Sequence, residues 1–270
     1  MALPLALQLY SLREDAAKDF PLVLKKVAEM GYKGVEFAGF HDMAPADVAK
    51  IVTDLGMECV SAHMPMPTSE NIDETVATAK ALGLSYVVSG GGPPDYADAD
   101  AVKSIATKFA TAADLLAPHG LKFGIHNHWW EFSQHIDGKA AHDAMMAQSG
   151  KAFAQIDICW VAFGGDDPAD AVARNAGRVD LLHVKDSSLE KNDEGRPATP
   201  HTAVGDGNVD VPAAIAAAEK AGTAWAIVEL DSCGTNMEEA VRKSAVYLMA
   251  NGLAEGTKPC GGCSGCCASK

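Results

Sequence analysis

Short apolar runs rich in β-branched residues recur along the chain, and each is followed by a longer amphipathic stretch. This alternation predicts parallel strands joined by helices, because a buried parallel strand is apolar on both faces and a connecting helix on one. Eight runs have this character. We predict strands at Leu5–Leu9, Gly34–Phe37, Glu58–Ala62, Tyr86–Ser89, Lys122–His126, Ala154–Ile158, Asp180–Val184 and Trp225–Leu230.

The stretches between the runs place apolar residues at three- and four-residue spacing, which predicts helices. The clearest are Asp19–Met30, Ala44–Leu55, Ile72–Leu82, Val102–Leu116 and Val211–Ala221. Glycines that follow these stretches suit the left-handed cap that ends a helix.

Eight strands alternating with helices over 270 residues fit a parallel sheet closed into a (β/α)₈ barrel, or TIM barrel. We predict α/β class and one barrel domain over residues 1–254. An open, doubly wound sheet is the alternative, but no G-x-G-x-x-G follows the first strand. The triplet Gly90-Gly91-Gly92 follows the fourth strand and is a weak phosphate-loop signal.

The formal net charge of −14 disfavours binding to the phosphate backbone of nucleic acids. No apolar run approaches the roughly 18 residues of a membrane span, and the N-terminus lacks the basic region of a signal peptide. We therefore expect a cytoplasmic protein with no nucleic-acid or membrane partner. The sequence carries no interface signature, so a monomer and a homo-oligomer both stay open.

The chain ends in a Gly/Cys/Ser-rich segment, residues 255–270, which we predict to be a disordered tail outside the barrel. Its cysteines have the C-x-x-C spacing of a soft-metal or iron–sulfur site, which is the alternative interpretation. They are Cys260, Cys263, Cys266 and Cys267.

Side chains that bind metals, move protons or donate amide hydrogens end seven of the eight predicted strands. In a (β/α)₈ barrel these ends form the active-site face. In chain order the residues are Gln8, Glu36, His63, His126, Asp157, His183 and Glu229.

The last four of these residues come from four successive strands, so they can converge on one point. Two imidazoles and two carboxylates suit Mn, Co, Fe or Zn, and Mg less well. We therefore predict one divalent metal ion held by His126, Asp157, His183 and Glu229. Individually, His183 can be a core histidine and Asp157 a helix cap.

Three residues are candidates for the metal ligand on the fifth strand: His126, which we prefer, His128 and Glu131. Trp129 and Trp130 fit either a sugar-stacking wall or loop packing.

Lys185 lies one strand period beyond His183 and faces the same way. It suits a proton donor or a ligand of a substrate oxygen, or alternatively a salt bridge at the barrel rim.

Several stretches together resemble the sugar phosphate isomerase/epimerase superfamily of xylose isomerase-like barrels. They are Gly31–Phe37, Val60–His63, Gly124–His128 with Glu131-Phe132, Asp157–Trp160, Leu182–Asp186, Val204–Asn208 and Val228–Asp231. The resemblance runs from about residue 5 to 252. It implies a divalent metal held by one residue from each of strands five to eight, and 1,2-proton transfer next to a carbonyl group through an enediolate.

The resemblance also implies that Glu229 both binds the metal and acts as base, and we add Lys185 and His126 as catalytic candidates. Residues expected to bind the substrate are Gln8, Glu36, His63, His128 and Trp160.

Two positions depart from the pattern of simple isomerases in this superfamily. His126 stands where many have glutamate, and Trp160 where some have a substrate-binding histidine. The His-Asn-His form is similar to the branch of inosose dehydratases and enzymes of 3-keto sugars, for which β-elimination is plausible chemistry.

The leading hypothesis is a metal-dependent isomerase or epimerase of a small sugar or keto-sugar. A lyase or dehydratase on the same metal is second, and a non-catalytic sugar-binding barrel is third. Class II apurinic endonucleases share the barrel, but the acidic charge opposes DNA binding.

Overall fold

The computed structural model describes residues 2–257, and eight parallel strands form a closed barrel at their centre. Each strand pairs with the next one along the chain, and the last pairs with the first, with Leu5 opposite Ala226. The barrel strands are β1 Leu3–Gln8, β2 Gly34–Phe37, β3 Glu58–His63, β4 Tyr86–Gly90, β5 Lys122–His126, β6 Phe153–Asp157, β7 Leu181–Val184 and β8 Trp225–Val228. The predicted (β/α)₈ fold is confirmed.

Helices connect the strands and pack around the barrel. The longer ones are Phe20–Glu29, Pro45–Asp54, Ile72–Leu82, Ala99–Leu116, Ile158–Gly164, Pro168–Arg174, Val211–Ala221 and Met237–Ala250. The five predicted helices occur within three residues of their predicted bounds. Gly83 and Gly222 adopt the left-handed cap that the sequence predicted for helix ends.

The two strands that carry predicted carboxylate ligands end earlier than the sequence pattern indicated. The sixth stops at Asp157 and the eighth at Val228. Ile158 was predicted as strand but starts a helix, because the Asp157 side chain caps the backbone N–H groups that follow.

A small apolar cluster fills the barrel interior below the site. Its buried residues are Ala6, Val60, Val88, Phe153, Leu181 and Ile227. The Phe153 ring occupies the space beside Gly124, where an added Cβ would lie 2.4 Å from the Phe153 Cζ atom. We call this cluster the apolar plug; it makes the barrel interior a packed core and not a pore.

The chain returns to the barrel's N-terminal end after the last long helix. Ala254–Glu255 pairs with Leu3-Pro4 at the edge of β1, and the Thr257 amide donates to the Gly31 carbonyl at 2.8 Å. The cysteines of the predicted tail, Cys260 to Cys267, lie outside the described residues. Among residues 2–257, no helix is long and apolar enough to cross a membrane.

Candidate metal and substrate site

Four buried side chains from β5 to β8 converge above the apolar plug. One nitrogen or oxygen atom from each of His126, Asp157, His183 and Glu229 lies within 4.8 Å of those of the other three. Strand ends separated by up to 103 residues of sequence, from His126 to Glu229, therefore meet at one point. We call this set the ligand quartet.

The two carboxylate oxygens of Asp157 have different roles. Oδ1 accepts the backbone N–H groups of Cys159 and Trp160, each at 3.0 Å, and so caps the helix after β6. Oδ2 is buried and faces the Lys185 ammonium, whose Nζ lies 3.0 Å away. Asn127 on the neighbouring strand end accepts the Asp157 backbone N–H at 2.9 Å, which fixes the backbone.

The quartet fits a divalent ion by both geometry and donor chemistry. His126 Nδ1 is buried without a hydrogen-bond partner in the described part of the chain, and a polar atom left so is costly unless a ligand satisfies it. Two imidazoles and two carboxylates are a donor set for Mn, Fe, Co or Zn.

His126 also suits metal binding by its protonation state. Burial and the neighbouring His183 hold its pKa well below the ordinary value for histidine. A neutral imidazole keeps the lone pair that coordinates a metal.

A buried carboxylate on β2 lies beneath the quartet and orients it. Glu36 Oε1 lies 2.6 Å from His183 Nε2 and accepts a hydrogen bond from Gln8 at 2.8 Å. Its Oε2 accepts hydrogen bonds from Ser61 and Gln155, each at 2.6 Å. Because His183 Nε2 is held by Glu36, its Nδ1 faces Glu229, 3.0 Å away.

His63, at the end of β3, lies beside the quartet at its open side. Its ring stacks on His183 with 5.6 Å between centroids, and its Nε2 lies 2.8 Å from Gln155 Oε1. His63 also comes within metal-ligand distance of His126 and His183, as a second set of three. The quartet is the better metal site because its carboxylates neutralise a cation's charge.

Lys185 is fully buried among three carboxylates. Its Nζ lies 3.0 Å from Asp157 Oδ2, 3.0 Å from Glu229 Oε2 and 2.8 Å from Asp231 Oδ2. Burial disfavours the charged ammonium, but the carboxylates outweigh it and hold the pKa of Lys185 well above its ordinary value. This cation balances the negative charge of the acidic site.

The loop after β5 places aromatic and acidic groups around the mouth. The His128 ring stacks on Trp130 at 4.3 Å, and its backbone N–H donates to Glu131 Oε2 at 2.9 Å. Burial, with help from the charge of Lys185, lowers the pKa of His128 to about 4. Burial raises the pKa of the Glu131 carboxyl to about 8.

Trp160 and His201 complete the wall of the mouth. Trp160 packs on Trp129 with 5.0 Å between centroids, and His201 contacts it edge-on at 5.1 Å. Lys185 Nζ lies 5.1 Å from the Trp160 ring centroid, within reach of a cation–π contact. This wall is therefore continuous with the ligand quartet.

The structure distributes the predicted substrate contacts over two layers. Gln8 and Glu36 are fully buried beneath the quartet, whereas His63, His128 and Trp160 lie beside it or at its mouth. His126, rather than His128 or Glu131, supplies the fifth-strand atom of the quartet.

Sequence reasoning missed three residues of the site. Gln155 carries a signal, since it lies one strand period before Asp157 and faces the same way. Ser61 precedes His63 by the same period. His201 carries no signal, because it lies in a long loop whose path the pattern does not predict.

A family model described as a xylose isomerase-like TIM barrel matches residues 24–250. A sugar phosphate isomerase/epimerase from Parabacteroides distasonis is 25% identical, with a TM-score of 0.76 over 94% of this chain and 96% of that one. No curated protein sequence matches the chain.

Two further solved structures are similar in fold alone. One is the IOLI protein with a bound zinc atom, 15% identical with a TM-score of 0.70 over 94% of this chain and 98% of that one. The other is a probable 3-DHS dehydratase, AsbF, from Bacillus anthracis, 15% identical with a TM-score of 0.73 over 92% of this chain and 99% of that one.

Proposed function

Since this chain belongs to the xylose isomerase-like TIM barrel family, we propose that it is a divalent-metal-dependent isomerase or epimerase of a small sugar or keto-sugar. The reaction is the transfer of a proton next to a carbonyl group. We further propose that the enzyme acts in the cytoplasm on a freely diffusing small molecule.

The ligand quartet is the observation that carries this proposal. Its four donor atoms lie within 4.8 Å of one another, and His126 Nδ1 is buried without a hydrogen-bond partner in the described chain. A bound divalent ion supplies Lewis-acid polarisation of a carbonyl and its neighbouring hydroxyl oxygen. The zinc in the IOLI protein is consistent with this assignment.

We assign the proton transfer to Glu229 and Lys185. The lysine Nζ lies 3.0 Å from Glu229 Oε2, and this ion pair holds the carboxylate in its basic form. In an isomerisation, Glu229 takes the proton from the carbon next to the carbonyl and returns it to the neighbouring carbon. In an epimerisation, Glu229 takes the proton and a second group on the opposite face of the substrate delivers one. Lys185 donates a hydrogen bond to the oxygen on which negative charge develops.

The test is deuterium incorporation into a sugar by the Mn²⁺-loaded protein in D₂O, followed by NMR. Glu229→Gln should lower the exchange rate by about 10²–10⁴-fold, as expected for removal of a general base. Glu219→Gln, on an exposed helix face, is the matched control and should retain the rate. Metal content is measured in each variant, so that loss of the base is separated from loss of the ion.

The proposal fails if the loaded wild-type protein exchanges no proton in a panel of ketoses, aldoses and inososes. It also fails if Glu229→Gln exchanges as fast as wild type with its metal bound.

Elimination of water is the second candidate, favoured by the paired arrangement of Lys185 and Glu229. An epimerase needs acid–base groups on both faces of the substrate, whereas a dehydratase can use a base and an acid on one side. Here the carboxylate base and the ammonium acid are 3.0 Å apart. Loss of one water from the product mass, seen by mass spectrometry, would favour this candidate over isomerisation.

A further inference from the structure

The mouth wall, defined as His128, Trp129, Trp130, Trp160 and His201, borders the ligand quartet on its outer side. We propose that it is a subsite for an uncharged, unphosphorylated sugar or cyclitol ring, and that phosphate esters are poor ligands. The inference rests on the proposed function and specifies its substrate class. It departs from the sugar phosphate named for the Parabacteroides neighbour.

The wall contains buried polar atoms that have no hydrogen-bond partner in the described chain. Within the described chain, buried ring nitrogens without a hydrogen-bond partner are Nδ1 of His128 and His201 and Nε1 of Trp160. Two of these side chains, Trp160 and His201, are only 6% exposed. Leaving such groups unpaired is unfavourable, so a ligand that pairs with them gains affinity.

These groups match hydroxyl chemistry. An indole N–H is a donor, and a neutral imidazole offers one donor and one acceptor, whereas each sugar hydroxyl both donates and accepts. Burial and the charge of Lys185 lower the pKa of His201 to about 4, so its imidazole is neutral at pH 7. Aromatic side chains form most of this wall, as is usual in sites that bind small molecules.

The charged groups near the wall offer no net positive charge to a phosphate dianion. Lys185 is shared among Asp157, Glu229 and Asp231, all within 3.0 Å of its Nζ. With one divalent ion bound, the three carboxylates and the ammonium are neutral together. No positive charge is left over in this group to bind a phosphate.

The nearby cations outside this group are engaged or peripheral. Arg13 donates to the backbone carbonyls of Tyr10 and Asp231, each at 2.9 Å. Arg196, with a 70% exposed side chain, lies 3.6 Å from Glu194.

Lys191 is a cation that lies beside the wall. Its Nζ lies 4.9 Å from the ring centroid of Phe163, which packs against Trp129 and Trp160. A phosphate ester that bound here would depend on this lysine.

The experiment measures binding to the Mn²⁺-loaded protein by calorimetry and by tryptophan fluorescence. The probes are D-fructose, D-tagatose and scyllo-inosose, set against the 6-phosphates of the two ketoses and against orthophosphate. We expect at least one free sugar to bind, and its phosphate ester to bind about tenfold or more weakly. Removal of a wall nitrogen in His201→Leu or Trp160→Phe should weaken binding of the free sugar about tenfold.

The matched control is Lys191→Gln, which should leave binding of the free sugar unchanged. Circular dichroism and metal content establish that each variant is folded and loaded. Either wall variant alone is sufficient for the test if the other fails to fold.

Three results would overturn the inference: equal or tighter binding of a phosphate ester, competition by orthophosphate that Lys191→Gln abolishes, or no binding of any free sugar. Glu229-dependent deuterium exchange into a phosphorylated ketose would remove the subsite and leave the isomerase proposal standing. Binding of a free sugar without deuterium exchange would support the subsite and contradict the isomerase proposal.

Discussion

Single side chains in this site serve the fold and the chemistry at once. Asp157 caps a helix with one oxygen and presents the other to the quartet. Glu36 holds His183 from below through a 2.6 Å contact while accepting amide and hydroxyl hydrogen bonds inside the barrel. Because these residues are buried, replacing one of them changes both stability and the electrostatics of the site.

Lys185→Met tests the balance of charge. It leaves Asp157, Glu229 and Asp231 without their shared cation, and breaking a buried ion pair in this way costs about 3–5 kcal/mol. We expect that loss in denaturant unfolding of the metal-free protein, and a clearly smaller one with saturating Mn²⁺, because the ion replaces the missing charge.

The control for Lys185→Met is Lys122→Met, which removes an ion pair of a 63% exposed lysine with Asp180 and should change stability by less than about 1 kcal/mol. Equal losses for Lys185→Met with and without the ion would contradict the shared charge balance.

Glu131→Gln tests the buried carboxyl of the β5 loop. Burial raises its pKa from 4.5 to about 8, so between these values the folded protein holds a proton that the unfolded chain releases. This contribution to stability is complete below pH 4.5 and is lost as the pH rises towards about 8. The variant has no such proton to lose.

We therefore expect the free energy of unfolding of Glu131→Gln to rise relative to wild type between pH 4.5 and about 8, by an amount on the order of a few kcal/mol, as measured by denaturant unfolding. The exposed Glu74→Gln should follow the wild-type pH curve. A constant difference between Glu131→Gln and wild type at all pH values would show that the carboxyl ionises normally.

At the scale of elements, the long loop after β7 is organised by one carboxylate. Asp186 accepts backbone N–H groups of Ser187, Gly205, Gly207 and Val209 at distances of 2.9 to 3.1 Å. An added Cβ at Gly207 would lie 2.1 Å from this carboxylate, so only glycine allows the close approach. The loop fixed in this way carries His201 to the mouth wall.

Asp186→Ala should release this loop while leaving the strands in place. Loss of the buried acceptor leaves four N–H groups unpaired, and we expect about 1–3 kcal/mol of destabilisation. Limited proteolysis should show faster cleavage within residues 188–200. Asp206→Ala in the same loop is exposed and is the control; equal cleavage of both variants would refute the anchoring role.

At the scale of the whole molecule, the proposed ion links stability to ligand binding. The quartet connects β5, β6, β7 and β8, half of the closed barrel. An ion that binds only the folded chain stabilises it by about 2.7 kcal/mol at a hundred times its Kd.

Removal of metal with EDTA should therefore lower the Tm by about 5–10 °C relative to Mn²⁺-saturated protein, as measured by calorimetry. Asp157→Asn should melt at the same temperature with and without Mn²⁺. The exposed Asp193→Asn should retain the wild-type shift. A Tm that does not depend on Mn²⁺ in the wild-type protein would count against a metal at the quartet.

Much of the fold could be predicted from the sequence, because its signals are local. β2 and β5 were predicted with their observed bounds, since strand periodicity and flanking residues are properties of neighbouring positions. The end of β6 was misplaced by one residue, because the Asp157 cap depends on which way one side chain turns. The helix Met237–Ala250 was not specified at all.

The candidate site divides in the same way. The sequence by itself determined that His126, Asp157, His183 and Glu229 stand at strand ends, since the barrel repeat brings equivalent positions to one face. Only the tertiary structure decided the 4.8 Å convergence of the quartet, the three carboxylates around Lys185 and the return of His201 to the mouth. Distances between remote residues, and the burial that shifts their pKa values, arise when the barrel closes and water is excluded, and no local pattern encodes them.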